Sequence, residues 1–237
     1  ITIFGSKLYL LSIVGYLHVY LSGLVVVLYL ATEDVAFFRL GQEKALLLAK
    51  LPAAVGTFLF VRVAANADNP VATRDLTVRS FRLTLLLMLL AGVLGAAIAK
   101  PAVLLIYGSE FSGIVLALLI IVPAVIANGS TSLITQFFTG TGRIWTITFM
   151  SVASLCIQLP LLWFAVPRWG VAGAAGAVLA AYVFTAVMRV TVFSIKESVS
   201  LRQLLIPNRS DVTLIREFVE EKYQAVLRLL SGQSSST

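Results

Sequence analysis

Apolar residues in this chain come in long, nearly unbroken runs separated by short polar breaks, without the strict alternation of a half-buried strand. Six runs, 8–29, 35–63, 81–106, 112–138, 144–166 and 171–193, are long enough to cross a hydrocarbon core, which takes about 20 helical residues. Only helices and closed barrels satisfy every backbone group in lipid, and a barrel strand needs only about 10 residues. The pattern therefore predicts an all-α polytopic membrane protein, with a six-helix transmembrane lobe over 1–195 and a tail over 196–237. Tight breaks around 32–34, 108–111 and 167–170 predict antiparallel neighbours in an up-down bundle, and 64–80 reads as a longer loop.

The tail has a different pattern. Residues 194–208 read as a polar linker containing Pro207. Beyond it, 211–230 places Ile215, Phe218, Val219, Val226, Leu227 and Leu230 at spacings of three and four, with Arg216, Glu217, Glu220, Glu221 and Arg228 on most of the remaining surface. That spacing predicts an amphipathic helix, lying on the membrane or docking on the bundle.

Composition agrees with the pattern: 59% of residues are apolar and 12% charged, and the mean hydropathy of +0.97 excludes an ordinary soluble domain. The formal charge of +7 needs no nucleic-acid partner once the topology is drawn. Lys7, Arg62, Arg74, Arg79, Arg82, Arg143, Arg189, Lys196, Arg202 and Arg209 gather on one side. Lys100, Arg168 and Arg39 fall on the other, beside Glu33, Asp34 and Glu110. Basic flanks mark the cytoplasmic face and suit anionic membrane lipids, so both ends are expected there. Cys156 stands alone, which excludes an intrachain disulfide, and it is expected to pack as a small apolar residue. No phosphate-binding loop or metal-ligand spacing occurs, and no nucleophile and carboxylate flank His18, so neither an enzyme nor a cofactor is expected. The opening at Ile1, already close to the first run, predicts a fragment.

The second run is exceptional because it carries Arg39, Gln42, Glu43, Lys44 and Lys50, and charges inside a spanning helix are functional candidates. With Arg62 at the inner interface and about 1.5 Å per residue, Arg39 and Glu43 reach the outer interface, whereas Lys50 lies roughly 18 Å deep. Arg39, Glu43 and Lys50 fall within about 40° of one another on a helical wheel, and Lys44 lies on the other side as a snorkelling residue. Measured from Lys7, His18 is about 16 Å deep and shares the level of Lys50. A polar midplane site built from both is expected, with the ammonium suited to a diphosphate and the imidazole able to exchange a proton. Two plainer readings stand beside it: His18 as a hydrogen-bonded link between helices, and Lys50 paired with Glu43 or a backbone carbonyl. Pro52, Pro123 and Pro160 interrupt spans. Gly170, Gly173 and Gly176 make a small-residue face, and Asn128, Gln136 and Gln158 suit interhelical hydrogen bonds.

Four strings in order carry a resemblance: Leu51-Pro52 with Gly56-Thr57-Phe58-Leu59-Phe60, Ile106-Tyr107-Gly108-Ser109-Glu110-Phe111, Gly140-Thr141-Gly142-Arg143, and Trp169-Gly170-Val171-Ala172-Gly173-Ala174-Ala175. Over about residues 1–200 the chain resembles the C-terminal lobe of polysaccharide flippases, the O-antigen and exopolysaccharide transporters of the multidrug/oligosaccharidyl-lipid/polysaccharide exporter superfamily. It departs from their pattern at Val61, and at His18, Tyr20 and Ser22 along the first span. The resemblance implies half of a two-lobe transporter in a bacterial inner membrane, with an N-terminal lobe of the same chain as partner. It also implies flipping of undecaprenyl-diphosphate-linked oligosaccharide for surface polysaccharide and lipopolysaccharide biosynthesis. Lys50, His18, Arg39 and Glu43 are the residues placed to meet that cargo. A multidrug exporter of the same superfamily and a non-transporting scaffold docking through 211–230 are the alternatives.

Overall fold

The computed structural model describes residues 2–66 and 68–206. They form α1 (Thr2–Tyr29), α2 (Thr32–Leu46), α3 (Lys50–Ala65), α4 (Pro70–Tyr107), α5 (Gly113–Gly140), α6 (Ile144–Glu197) and α7 (Leu201–Leu205), with 3₁₀ turns at Leu47–Ala49 and Ser109–Phe111. No strand occurs among the described residues. Among the described residues five helical segments, taking Thr32–Ala65 as one, are long and apolar enough to cross a membrane. The protein is an all-α polytopic membrane bundle. The segment 211–230 lies outside the described residues.

The 54-residue α6 is two crossings folded together. Gly170 has φ 55° and ψ −132°, a conformation open to glycine because it has no Cβ. Around that point the chain reverses. Arg143 Nη1 meets Glu197 Oε1 at 2.5 Å, Lys196 Nζ donates to Thr146 Oγ1 at 3.0 Å, and Thr185 Oγ1 donates to Ser154 Oγ at 2.5 Å. A straight helix of that length would hold Arg143 and Glu197 about 80 Å apart. The two arms, 144–169 and 171–197, are therefore antiparallel. Gly173 sits so close to the Ala165 carbonyl that a Cβ there would collide with it.

Two expected connections differ. The loop over 64–80 is mostly helix, because Asn69 Oδ1 accepts from Ala72 N–H at 3.1 Å and Pro70 occupies the first helical position. Its first turns carry Arg74, Arg79 and Arg82 beyond the apolar run. Likewise the linker expected over 194–208 contains the end of α6 and the whole of α7, whose Ser200 cap is completed by Gln203.

The neighbours are not all sequence neighbours either. α1 packs chiefly on α6, whereas α2 and α3 lie on α5. Close approach explains the second choice: a Cβ on Gly41 would stand 2.8 Å from Ala117 Cβ, and one on Gly113 would stand 2.5 Å from the Phe37 ring. Two apolar cores result. One gathers Val25, Phe38, Ala117, Leu162 and Val178 toward the Gly170 turn. The other gathers Leu59, Phe81, Phe137, Phe138, Phe193 and Leu204 at the basic end, with Phe137 and Phe193 edge-to-face at 5.2 Å.

Candidate functional site: a polar layer across the bundle

Between the two cores every central helix turns polar at one level. On α5 the apolar stretch to Val125 gives way to Asn128, Ser130 and Thr131 before Leu133 resumes it. On the first arm of α6, Ser151, Ser154 and Gln158 separate Met150 from Leu162, and on the second arm Thr185 and Arg189 separate Tyr182 from Phe193. α1 adds His18 and Ser22. A buried polar group is costly unless it is hydrogen-bonded, so the partners decide what this layer does.

On the α1–α6 side the layer satisfies itself. The Nδ1 of His18 meets Gln158 Oε1, its Nε2 lies 3.0 Å from the Ser151 carbonyl oxygen, and Gln158 Nε2 donates to the His18 carbonyl at 3.1 Å. Tyr182 stands edge-on to the imidazole at 6.4 Å between ring centres. Thr185 donates to Ser154 Oγ, and Ser154 donates to the Ala181 carbonyl at 3.1 Å, closing the two arms of α6. His18 is thus a link between helices.

Arg189 is the charged member of the layer, although the sequence pattern assigns it to the basic flank. Its Nη1 donates to Asn128 Oδ1 at 2.8 Å and reaches Thr131 Oγ1 at 3.3 Å, joining α6 to α5. Its Nε is buried without a hydrogen-bond partner among the described residues. A signal for this position exists in the sequence, since Arg189 lies inside the run 171–193 and helical rise places it below the interface, as it does Lys50.

Lys50 belongs to the same level from the other side. Pro52, two residues on, packs within 3.1 Å of where a Cβ on Gly129 would be, next to Asn128. Pro52 also has no N–H for the Leu48 carbonyl, and the chain tightens into the 3₁₀ turn Leu47–Ala49 just before Lys50. Lys50 is exposed on the bundle and makes no hydrogen bond or ion pair among the described residues.

The structure gives the helices of His18 and Lys50 different packing partners. The two residues share a level, and α1 is held on α6 by Gln158 while α3 lies on α5 and α4. The Arg39 guanidinium lies across α1 at Gly23, in a groove of about 360 Å³ that includes Tyr20 and Leu24. Glu43 is exposed and paired with its neighbour Lys44 at 3.3 Å. Cys156 is exposed on the first arm of α6, contrary to the packing role expected for it. Gln136 lies against Gly56, whose missing side chain makes room for it.

Residues 1–116, just under half the chain, match the family described as "Polysaccharide biosynthesis protein". Comparison with curated proteins and with solved structures gave no match. The match supports a role in polysaccharide biosynthesis or export by a membrane protein. The match falls on α1 to α4 and the start of α5 of the all-helical polytopic bundle.

Proposed function

We propose that this chain forms one lobe of a transporter that moves undecaprenyl-diphosphate-linked oligosaccharide between the leaflets of a bacterial inner membrane. The observation that supports this reading is Lys50, an exposed ammonium at the polar level of the bundle with no partner among the described residues. A charge at membrane depth faces water, a cavity or an opposite charge. A diphosphate supplies that opposite charge, and an ammonium binds it as a compact point charge. The cargo crosses intact, so the chain acts as a transporter and not as an enzyme. On this reading one lobe rocks against a second around a fixed binding level, the usual form of alternating access. The end carrying Arg62, Arg74, Arg79, Arg82 and Arg143 would face the cytoplasm, together with both chain ends.

Leaflet transfer of a labelled polyprenyl-diphosphate oligosaccharide by the full-length two-lobe protein that carries this lobe, reconstituted in proteoliposomes, tests the proposal. Transfer by the unaltered protein is expected, with a drop of at least about tenfold in Lys50→Ala, equivalent to one lost charge contact. Lys50→Arg keeps the charge and is expected to lose less. Undiminished transfer in Lys50→Ala would remove Lys50 from the path, and no transfer by the unaltered protein would remove the function.

A further inference from the structure

At the end of the bundle opposite the Gly170 turn, the transport reading leaves a second charged feature unused. Arg74, Arg79 and Arg82, on the projecting turns of α4, line a cleft of about 770 Å³ whose other wall is Ser198, Val199 and Gln203. α7 is fastened beside it. Arg82 Nη1 donates to the Gln203 carbonyl at 3.2 Å, and the Ser200 capping box holds the same turn. Among the described residues only one carboxylate lines the cleft, Asp75, and it is paired with Arg74 at 3.0 Å. The cleft is strongly basic.

The sequence just beyond its wall is acidic. The described residues end at Ile206, three positions past Gln203 on the cleft wall, so the C-terminal segment departs from the lip of the cleft. Asp211 is five residues further, a reach of up to about 17 Å in extended chain. Glu217, Glu220 and Glu221 then recur at spacings of three and four, which puts them on one face of the amphipathic helix expected from the sequence. We propose that this acidic stretch, Asp211 to Glu221, occupies the arginine cleft and fastens the C-terminal segment to the base of α4. Tethering favours this occupant over a free anion or a lipid headgroup, since a short linker holds the carboxylates at about millimolar effective concentration. Arginine also suits the task, because its planar fork pairs with a carboxylate through two hydrogen bonds.

Trypsin provides the test, because Arg209, Arg216, Lys222 and Arg228 lie in or beside the acidic stretch and are shielded when it is docked. The full chain in detergent is expected to lose its tail about tenfold faster when Glu217, Glu220 and Glu221 are all changed to Gln, the combined effect of several modest ion pairs. Changing Arg74, Arg79 and Arg82 to Gln is expected to give the same acceleration, and combining the two sets is expected to add nothing further. The tail substitutions leave every described residue of the bundle unchanged, so they decide the matter even where the arginine variants fail to fold. An unchanged cleavage rate in the Gln-substituted tail would overturn the proposal. So would protection that depends on phosphatidylglycerol vesicles, relative to phosphatidylcholine, and is indifferent to the tail carboxylates, because the cleft would then hold a lipid headgroup.

Discussion

The two sides of the polar layer handle charge and hydrogen bonding in opposite ways. On the α1–α6 side His18, Gln158, Ser154 and Thr185 are bonded to one another or to backbone carbonyls, and these bonds join α1 to α6 and one arm of α6 to the other. On the α3 side Lys50 stands at the same level, exposed and without a partner among the described residues. The closed side has the character of a structural seam. The open side keeps a charge without a partner among the described residues, and a charge at membrane depth faces water, a cavity or an opposite charge. Polarity at membrane depth is therefore a poor guide to function until its partners are known.

Substitutions on the two sides are expected to separate stability from transport. Gln158→Leu removes the acceptor facing His18 Nδ1 and the donor to the His18 carbonyl, leaving both without that partner between helices. A loss of about 2 kcal/mol in unfolding free energy in detergent is expected, and a loss near zero would break the claim that this link holds α1 on α6. Thr185→Val keeps the shape but removes the donor to Ser154, so about 1 kcal/mol is expected by the same measurement, in line with the modest worth of interhelical hydrogen bonds in membrane proteins. Lys50→Ala removes an exposed side chain that touches no polar partner among the described residues. Its unfolding free energy is expected to stay within about 0.5 kcal/mol of the unaltered protein while transfer falls. A large destabilisation would give Lys50 a structural role and erase the contrast.

Several features are legible in the sequence. The apolar runs mark the crossings, because lipid leaves the backbone no alternative to continuous internal hydrogen bonding. The string Trp169-Gly170 marks a reversal, and Gly170 does adopt the positive φ that makes one. The levels of His18 and Lys50 come from rise per residue alone. Arg189 escapes notice because the rule that basic residues flank a membrane explains it too easily. Arg39, Glu43 and Lys50 fall on one face only if the second run is one straight helix, and the 3₁₀ turn ahead of Pro52 interrupts it. The pairing of α1 with α6 has no local signal, since a tight turn joins α1 to α2 without making them pack along their length.

Sequence by itself determined the class of the protein, the depth of its polar residues and the places where the chain reverses, because each depends on local hydrophobicity, helical rise and the conformational freedom of single residues. Tertiary structure alone decided which polar groups are satisfied. Gln158 is 140 positions from His18, and Asn128 is 61 positions from Arg189. No local pattern encodes such pairs, and it is helix packing that turned one polar level into a sealed seam on α6 and an open charge on α3.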